Sequence, residues 1–170
     1  MILTEKHVRE ARLVAIKAHG TQDYDGIFPY EKHLDDVVDV LKRFHITDPV
    51  MLCAAYLHDS PEDGNLSYKD IKRHFGFVVA EIVYSVTDEL GRDRAEKKRK
   101  TLPKTSQNVQ GCTLKVADRI ANIEMGGKVD MYKKEFTEFQ KWVYKVEDPQ
   151  VQPMWVHLRT LVGVKELELV

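Results

Sequence analysis

His58 and Asp59 stand side by side, and Ser60-Pro61 separates them from a second acidic pair, Glu62-Asp63. A lone His33 lies upstream and Asp118 lies downstream. Two imidazoles and two carboxylates make a mixed nitrogen and oxygen donor set suited to a hard or borderline divalent cation. Glu62 and Asp63 are then left over as acid/base groups beside it. A metal ion with spare carboxylates is the minimum equipment for hydrolysing a phosphoester. Each part also has an ordinary alternative. An isolated HD dipeptide is often a neutral histidine bonded to a nearby acid, and Asp118 can pair with Arg119.

Those residues depend on helices for their placement. Thr4 caps a first helix in which Val8, Ala11, Ala15 and Ala18 recur at helical spacing. His19-Gly20 ends it, and residues 20–28 read as a loop. Pro29 opens a second helix with Leu34, Val37, Val38 and Leu41 as its apolar face, which puts His33 on its first exposed turns. Asp48-Pro49 starts a third helix. It runs from Met51 to Leu57, apolar almost all round and therefore central, and Pro61 ends it near the HD pair. Ser67 and Asp70 form a capping box for a fourth helix that stops near His74-Phe75-Gly76, and Phe77 to Val86 continues as another.

Residues 92–104 are strongly basic, and Pro103 to Gly111 reads as a loop. Cys112 to Met125 is then a helix that carries Asp118 and Asn122, four apart and so on one face. Gly126-Gly127 breaks it. An amphipathic helix follows with Met131, Phe136, Phe139, Trp142, Val143 and Val146, and a last helix after Asp148-Pro149 holds Trp155, Leu158 and Leu161. The expectation is an all-α protein, a single compact domain over residues 1–170.

Bulk properties narrow the function. A chain of 170 residues can bury a real core, and 43% hydrophobic with 31% charged residues describes an ordinary soluble globular protein. A net charge of −1 argues against nucleic acid as a partner, which calls for a basic excess. Cys53 and Cys112 are far apart among apolar residues and read as buried free thiols in a reducing compartment. The N-terminus turns polar at once and no apolar run reaches transmembrane length, so the expectation is a cytoplasmic protein with no membrane partner.

Longer segments are more specific than the single residues. Ala18-His19-Gly20-Thr21-Gln22, Pro29-Tyr30-Glu31-Lys32-His33, Ala54-Ala55-Tyr56-Leu57-His58-Asp59-Ser60-Pro61-Glu62-Asp63, Phe75-Gly76, Val86-Thr87-Asp88 and Lys115-Val116-Ala117-Asp118-Arg119-Ile120-Ala121-Asn122 occur in that order. Together they resemble the hydrolase domain of the RelA/SpoT alarmone enzymes, a branch of the HD metal-dependent phosphohydrolases, from about residue 5 to 125. The resemblance implies an HD-domain helical bundle holding one Mn²⁺ on His33, His58, Asp59 and Asp118. It also implies Glu62 and Asp63 as the catalytic pair and a nucleotide as substrate. The reaction would remove the 3′-pyrophosphate of (p)ppGpp or a related alarmone such as ppApp, and metazoan relatives imply NADPH as a further substrate. A bound cation lowers the pKa of water toward ~7, and either Glu62 or Asp63 can then orient that water or take its proton.

For the substrate, the resemblance implies Asn122 as a nucleotide contact and Lys97 and Lys98 as cations on the outer phosphates. Between Gln22 and Pro29 this chain departs from the family, with Asp23-Tyr24-Asp25 where basic residues usually embrace the purine. Tyr24 can stack on a base, whereas acids there repel phosphate, so the base is left open. Two competing readings are an HD-type 5′-nucleotidase acting on deoxynucleoside monophosphates and a non-catalytic nucleotide sensor. A homo-oligomer is open as well.

Overall fold

Thr4 starts the first helix as its type predicts. Its backbone N–H donates to Nδ1 of His7 at 3.1 Å, and α1 runs Glu5–His19. The structure is a computed structural model that describes residues 1–63, 65–145 and 148–164. After Gly20 the chain pairs with itself where the sequence predicts only a loop. Strands β1 (Asp23–Tyr24) and β2 (Phe28–Pro29) run antiparallel with Tyr24 opposite Phe28. Asp25 and Gly26 make the bend in the left-handed region, at φ 51° and 69°. Strands this short carry no alternation to read.

Helix α2 (Tyr30–Arg43) buries the predicted stripe of Leu34, Val37, Val38 and Leu41. It also buries His33, which is 3% exposed and not on an exposed turn. The reason is tertiary: the hairpin folds over the start of α2, and a second helix packs along its length.

Helix α3 (Pro49–Leu57) begins as expected, with the Asp48 carboxylate accepting the Val50 N–H at 3.2 Å. Every residue from Met51 to Leu57 is buried. Full burial of a leucine such as Leu52 or Leu57 is worth about 1.5–3 kcal/mol, which makes α3 the fixed centre from which the HD pair emerges. Pro61 does more than end this helix. It sits in the first turn of a short α4 (Ser60–Asp63), where a missing N–H costs nothing, and so it turns Glu62 and Asp63 back beside the HD pair.

Helix α5 (Tyr68–Phe75) has the predicted capping box, in which Ser67 N–H donates to Asp70 at 3.1 Å and Asp70 N–H donates to Ser67 Oγ at 3.3 Å. Gly76 then turns the chain into α6 (Phe77–Val86). The basic stretch forms α7 (Arg94–Thr105), and here the structure departs from the sequence reading: Pro103 lies inside the helix. Its ring removes one intrahelical bond. Burial of Leu102 and a bond from the Thr105 hydroxyl to the Ser85 carbonyl (2.7 Å) anchor that last turn on α6. Helix α8 consequently starts earlier than expected and runs Val109–Glu124, capped by Asn108, whose Oδ1 accepts the Gly111 N–H at 2.9 Å.

Helices α9 (Val129–Val143) and α10 (Gln152–Val162) complete the described chain. Val146, expected on the α9 face, lies outside the described residues. Trp155 is fully buried against Phe136, Phe139 and Tyr144, so these helices pack onto the domain itself. Helix α8 touches α2, α3, α6, α7, α9 and α10. Cys53 and Cys112 are buried free thiols. Among the described residues, no helix is long and apolar enough to cross a membrane.

Candidate active site

Three helices bring the donor set together. His33 comes from the first turn of α2, His58 from the C-terminal cap of α3, and Asp118 from the middle of α8. One ligand atom from each of these three lies within 4.8 Å of the others. His33 Nε2 is 3.2 Å from Asp118 Oδ1, and His58 Nε2 is 3.7 Å from the same oxygen. Asp59 joins them, with Oδ2 at 3.1 Å from His58 Nε2 and 3.6 Å from His33 Nε2. The four residues that the sequence singled out therefore converge.

Charge is balanced inside the cluster. Burial works against charge on both imidazoles, yet Asp59 and Asp118 outweigh it and hold both rings above their ordinary range. Burial likewise opposes both carboxylates. The imidazoles nevertheless hold Asp59 and Asp118 well below the usual carboxylate range, with Lys115 adding to the effect on Asp118.

A divalent cation fits this set. The His58 ring is oriented by Nδ1, which donates to the Ala55 carbonyl at 2.7 Å. That leaves Nε2 facing the carboxylates, buried and without a hydrogen-bond partner. A carbonyl behind one ring nitrogen and a free nitrogen in front is the arrangement that orients a metal-binding histidine. Two acids and two imidazoles are hard-to-borderline donors, and a cation there replaces the protons that otherwise hold the acids and rings together.

Around the cluster lies a cleft of about 320 Å³. Glu62 and Asp63 both line it, on its open side. Glu62 is fixed by the Asp88 N–H, which donates to Oε1 at 2.6 Å. Burial of its carboxyl and the charge of Asp59 push Glu62 above its ordinary range, against the pull of Lys115. Lys98 also lines the cleft and grips both oxygens of Asp88 at 2.8 and 2.9 Å. Lys97, its neighbour, is exposed and does not form part of the wall.

Tyr24 and Asn122 reach the cleft too, but bonded to each other: the Tyr24 hydroxyl donates to Asn122 Oδ1 at 2.6 Å. Asn122 Nδ2 in turn donates to Asp118, at 2.8 Å to Oδ1 and 2.9 Å to the carbonyl.

Several wall residues escaped the sequence reading. Tyr30 donates to Asp59 Oδ2 at 2.5 Å and stacks on His19 at 4.3 Å between ring centroids. Lys115, 3.8 Å from Asp118 Oδ2, is held above its ordinary range because the surrounding acids outweigh its burial. The signal for Lys115 was available, since it precedes Asp118 by three residues and shares its face. Arg94 belongs to the basic stretch of residues 92–104, whereas Lys128 had no signal, because only tertiary packing places it here. Arg119 does not pair with Asp118. It donates to Glu135 at 3.1 Å and lies 3.7 Å from the Phe139 ring centre, and burial lowers it to about 10.

With this geometry in place, comparison with known proteins is informative. The HD domain family matches residues 11–137. The bifunctional (p)ppGpp synthase/hydrolase SpoT of Escherichia coli is 36% identical over 131 residues, covering 73% of this chain and 18% of that protein. The human guanosine-3′,5′-bis(diphosphate) 3′-pyrophosphohydrolase MESH1 is 34% identical over 119 residues, 67% of this chain and 66% of that protein. A solved structure of a metazoan SpoT orthologue shares the fold, with a TM-score of 0.78 over 97% of this chain and 100% of that one at 22% identity. The chain thus spans less than a fifth of the bacterial relative and about two thirds of the human one. A match over residues 11–137 takes in α2, α3 and α8, every helix that supplies the His and Asp cluster, and the chain belongs to the HD domain family as a relative of the SpoT-type hydrolases.

Proposed function

We propose that this chain is a metal-dependent phosphohydrolase that removes the 3′-pyrophosphate from a purine nucleotide of the (p)ppGpp type, with Mn²⁺ as its ion. The observation that carries this reading is the convergence of His33, His58, Asp59 and Asp118 beside a fixed Glu62 in a cleft that also holds Lys98, Lys115 and Arg94. The names of the SpoT and MESH1 relatives support the substrate class.

His33, His58, Asp59 and Asp118 would hold the ion, which supplies Lewis acidity and an acidified water when bound. Glu62 is the better-placed base of the acidic pair. Its Oε1 is occupied by the Asp88 N–H, which leaves Oε2 to accept the proton of the attacking water. Burial and the charge of Asp59 hold this carboxyl above its ordinary range, which makes it the stronger base. The phosphorus on the ribose 3′ oxygen gains the water oxygen and loses the 3′ oxygen, which takes up a proton. Pyrophosphate and a free 3′-hydroxyl result. Asp63 stands beside Glu62 to orient the water, and Lys98, Lys115 and Arg94 offset charge on the phosphates.

The test is to incubate the purified protein with Mn²⁺ and ppGpp, ppApp, NADPH or deoxynucleoside monophosphates and to resolve every product by chromatography. Pyrophosphate from a 3′-pyrophosphorylated nucleotide is the expected result, and it identifies the base in the same run. Orthophosphate from NADPH assigns the 2′-phosphatase activity. Orthophosphate from monophosphates alone moves the chain to the nucleotidase reading. Silence from a metal-loaded sample leaves a nucleotide sensor.

A further inference from the structure

We propose that Tyr24 is a positioning residue for the metal ligands, holding Asp118 through Asn122 and backing His33 with its ring, and that it does not stack on the nucleotide base. The inference rests on the metal-site part of the reading above and is independent of which phosphoester is cleaved.

The hydroxyl proton is engaged. It donates to Asn122 Oδ1 at 2.6 Å, and that amide uses its nitrogen on Asp118 Oδ1 at 2.8 Å. The relay fixes the amide's orientation, since an oxygen facing the phenol leaves only the nitrogen to face the carboxylate. Asp118 is thereby held at Oδ1, the oxygen that stands 3.2 Å from His33 and 3.7 Å from His58.

The ring is engaged as well. Tyr24 and His33 stack with centroids 4.9 Å apart and planes at 21°, and Tyr30 meets the edge of Tyr24 at 6.2 Å and 86°. With only 7% of Tyr24 exposed, little of its surface is open to a base. One residue thus supports two ligands from two different helices, α2 and α8.

The hairpin is built to keep it there. Its bend is tied to the turn after α8 by Asp25, whose Oδ1 lies 3.3 Å from Lys128 Nζ. Tyr24 and Asp25 are therefore both pinned to the α8 side of the cleft, one on the helix and one just beyond its end. One of the acids that interrupt the basic pattern of the resembled family, Asp25, acquires a contact here. Asp25 pairs with Lys128 at the exposed bend of the hairpin.

Residues that orient metal ligands in this way typically change metal affinity about 10- to 100-fold when altered. The experiment is a titration of the full chain with Mn²⁺ and no nucleotide, following free Mn²⁺ by electron paramagnetic resonance. Tyr24→Phe keeps the ring and should weaken Mn²⁺ binding by roughly ten-fold. Tyr24→Leu loses the stacking too and should weaken it further. Because Tyr24 and Asn122 act in series, the double variant Tyr24→Phe/Asn122→Ala should bind about as weakly as Asn122→Ala alone. At saturating Mn²⁺ the KM for the nucleotide should be unchanged in Tyr24→Leu, which removes the ring a base would stack on.

Unaltered Mn²⁺ affinity in both Tyr24 variants overturns the proposal, and a raised KM beside it returns Tyr24 to the base site. Strict additivity in the double variant overturns the relay. Failure of the parent protein to bind Mn²⁺ sinks the metal reading itself and this inference with it, whereas Mn²⁺ binding without turnover of any alarmone sinks only the substrate assignment.

Discussion

Asp59 touches both imidazoles and the Tyr30 hydroxyl, whereas Glu62 is held by a backbone N–H at Asp88. The two acids should therefore fail differently. Asp59→Ala is expected to lose Mn²⁺ binding and turnover together. Glu62→Gln is isosteric and should keep the metal while kcat falls by about 10²- to 10⁴-fold, the usual worth of a general base. Calorimetry with Mn²⁺ and a product assay on the same samples separate the two, and normal turnover in Glu62→Gln would remove that residue from the mechanism. At this scale the sequence was most legible where residue type restricts chemistry. His33, His58, Asp59 and Asp118 could be picked out because the HD pair and the order of the flanking histidine and acid match the pattern of the resembled family. Lys97 and Lys98 could not be separated, since adjacent lysines on a helix point about 100° apart and only the packing of α7 decides which one faces the cleft.

Gly111 shows how an element sets the depth of a cleft residue. It lies in the first turn of α8 where that helix presses on α6, and a Cβ built on it would meet Ser85 Oγ at 2.0 Å and Ser85 Cβ at 3.2 Å. Rotating the hydroxyl away would break its bond to the Ile82 carbonyl (2.7 Å) and still leave Cβ crowded. Gly111→Ala should gain about 1 kcal/mol of helix propensity and lose about 1–3 kcal/mol to overpacking. The expected outcome is a lower urea midpoint and weaker Mn²⁺ binding, because α8 carries Asp118. A raised midpoint would show that α6 gives way. The sequence reading took Pro103 to Gly111 as a loop because proline and glycine punctuate chains. Tertiary anchoring of Leu102 and Thr105 overrode that signal and kept the helix.

The whole molecule answers to pH and metal. Glu135 on α9 binds Arg94 of α7 (2.6 and 3.1 Å) and Arg119 of α8 (3.1 Å), and so ties three helices over the cleft. Burial works against its charge, but Arg94 and Arg119 outweigh it and hold the carboxyl below its ordinary value of 4.5. A depressed folded pKa means that the unfolded chain takes up the proton first as pH falls. The stabilisation is therefore complete above about pH 4.5 and is lost as pH drops through the folded value. The Glu135 contribution, read as the difference in melting temperature between the parent and Glu135→Gln, should stay flat from neutral pH to that point and fall below it. Glu135→Gln should melt lower at neutral pH with a shallower acid decline, and an unchanged acid limb would put the loss elsewhere. Mn²⁺ should raise the melting temperature in turn. A free ion at ~100 times its Kd contributes about 2.7 kcal/mol, or roughly 5–10 °C for a domain of this size, and chelation should reverse it. No shift with Mn²⁺ would count against the metal site.

What the sequence by itself determined is most of the helices and the four residues that converge in the cleft. Apolar periodicity, caps such as Asp48 and Ser67, and breakers such as Gly126 act over a few residues and need no partner. What only the tertiary structure decided is which side chains share a cleft. Tyr24 is 98 residues from Asn122, and Asp25 is 103 from Lys128. A pairing across such a distance rests on how α8 packs against α2 and the hairpin, since the energy of a contact depends on position in space and leaves no local periodicity in the chain. The same packing buried a histidine expected at the surface and turned an expected loop into a hairpin that packs against it.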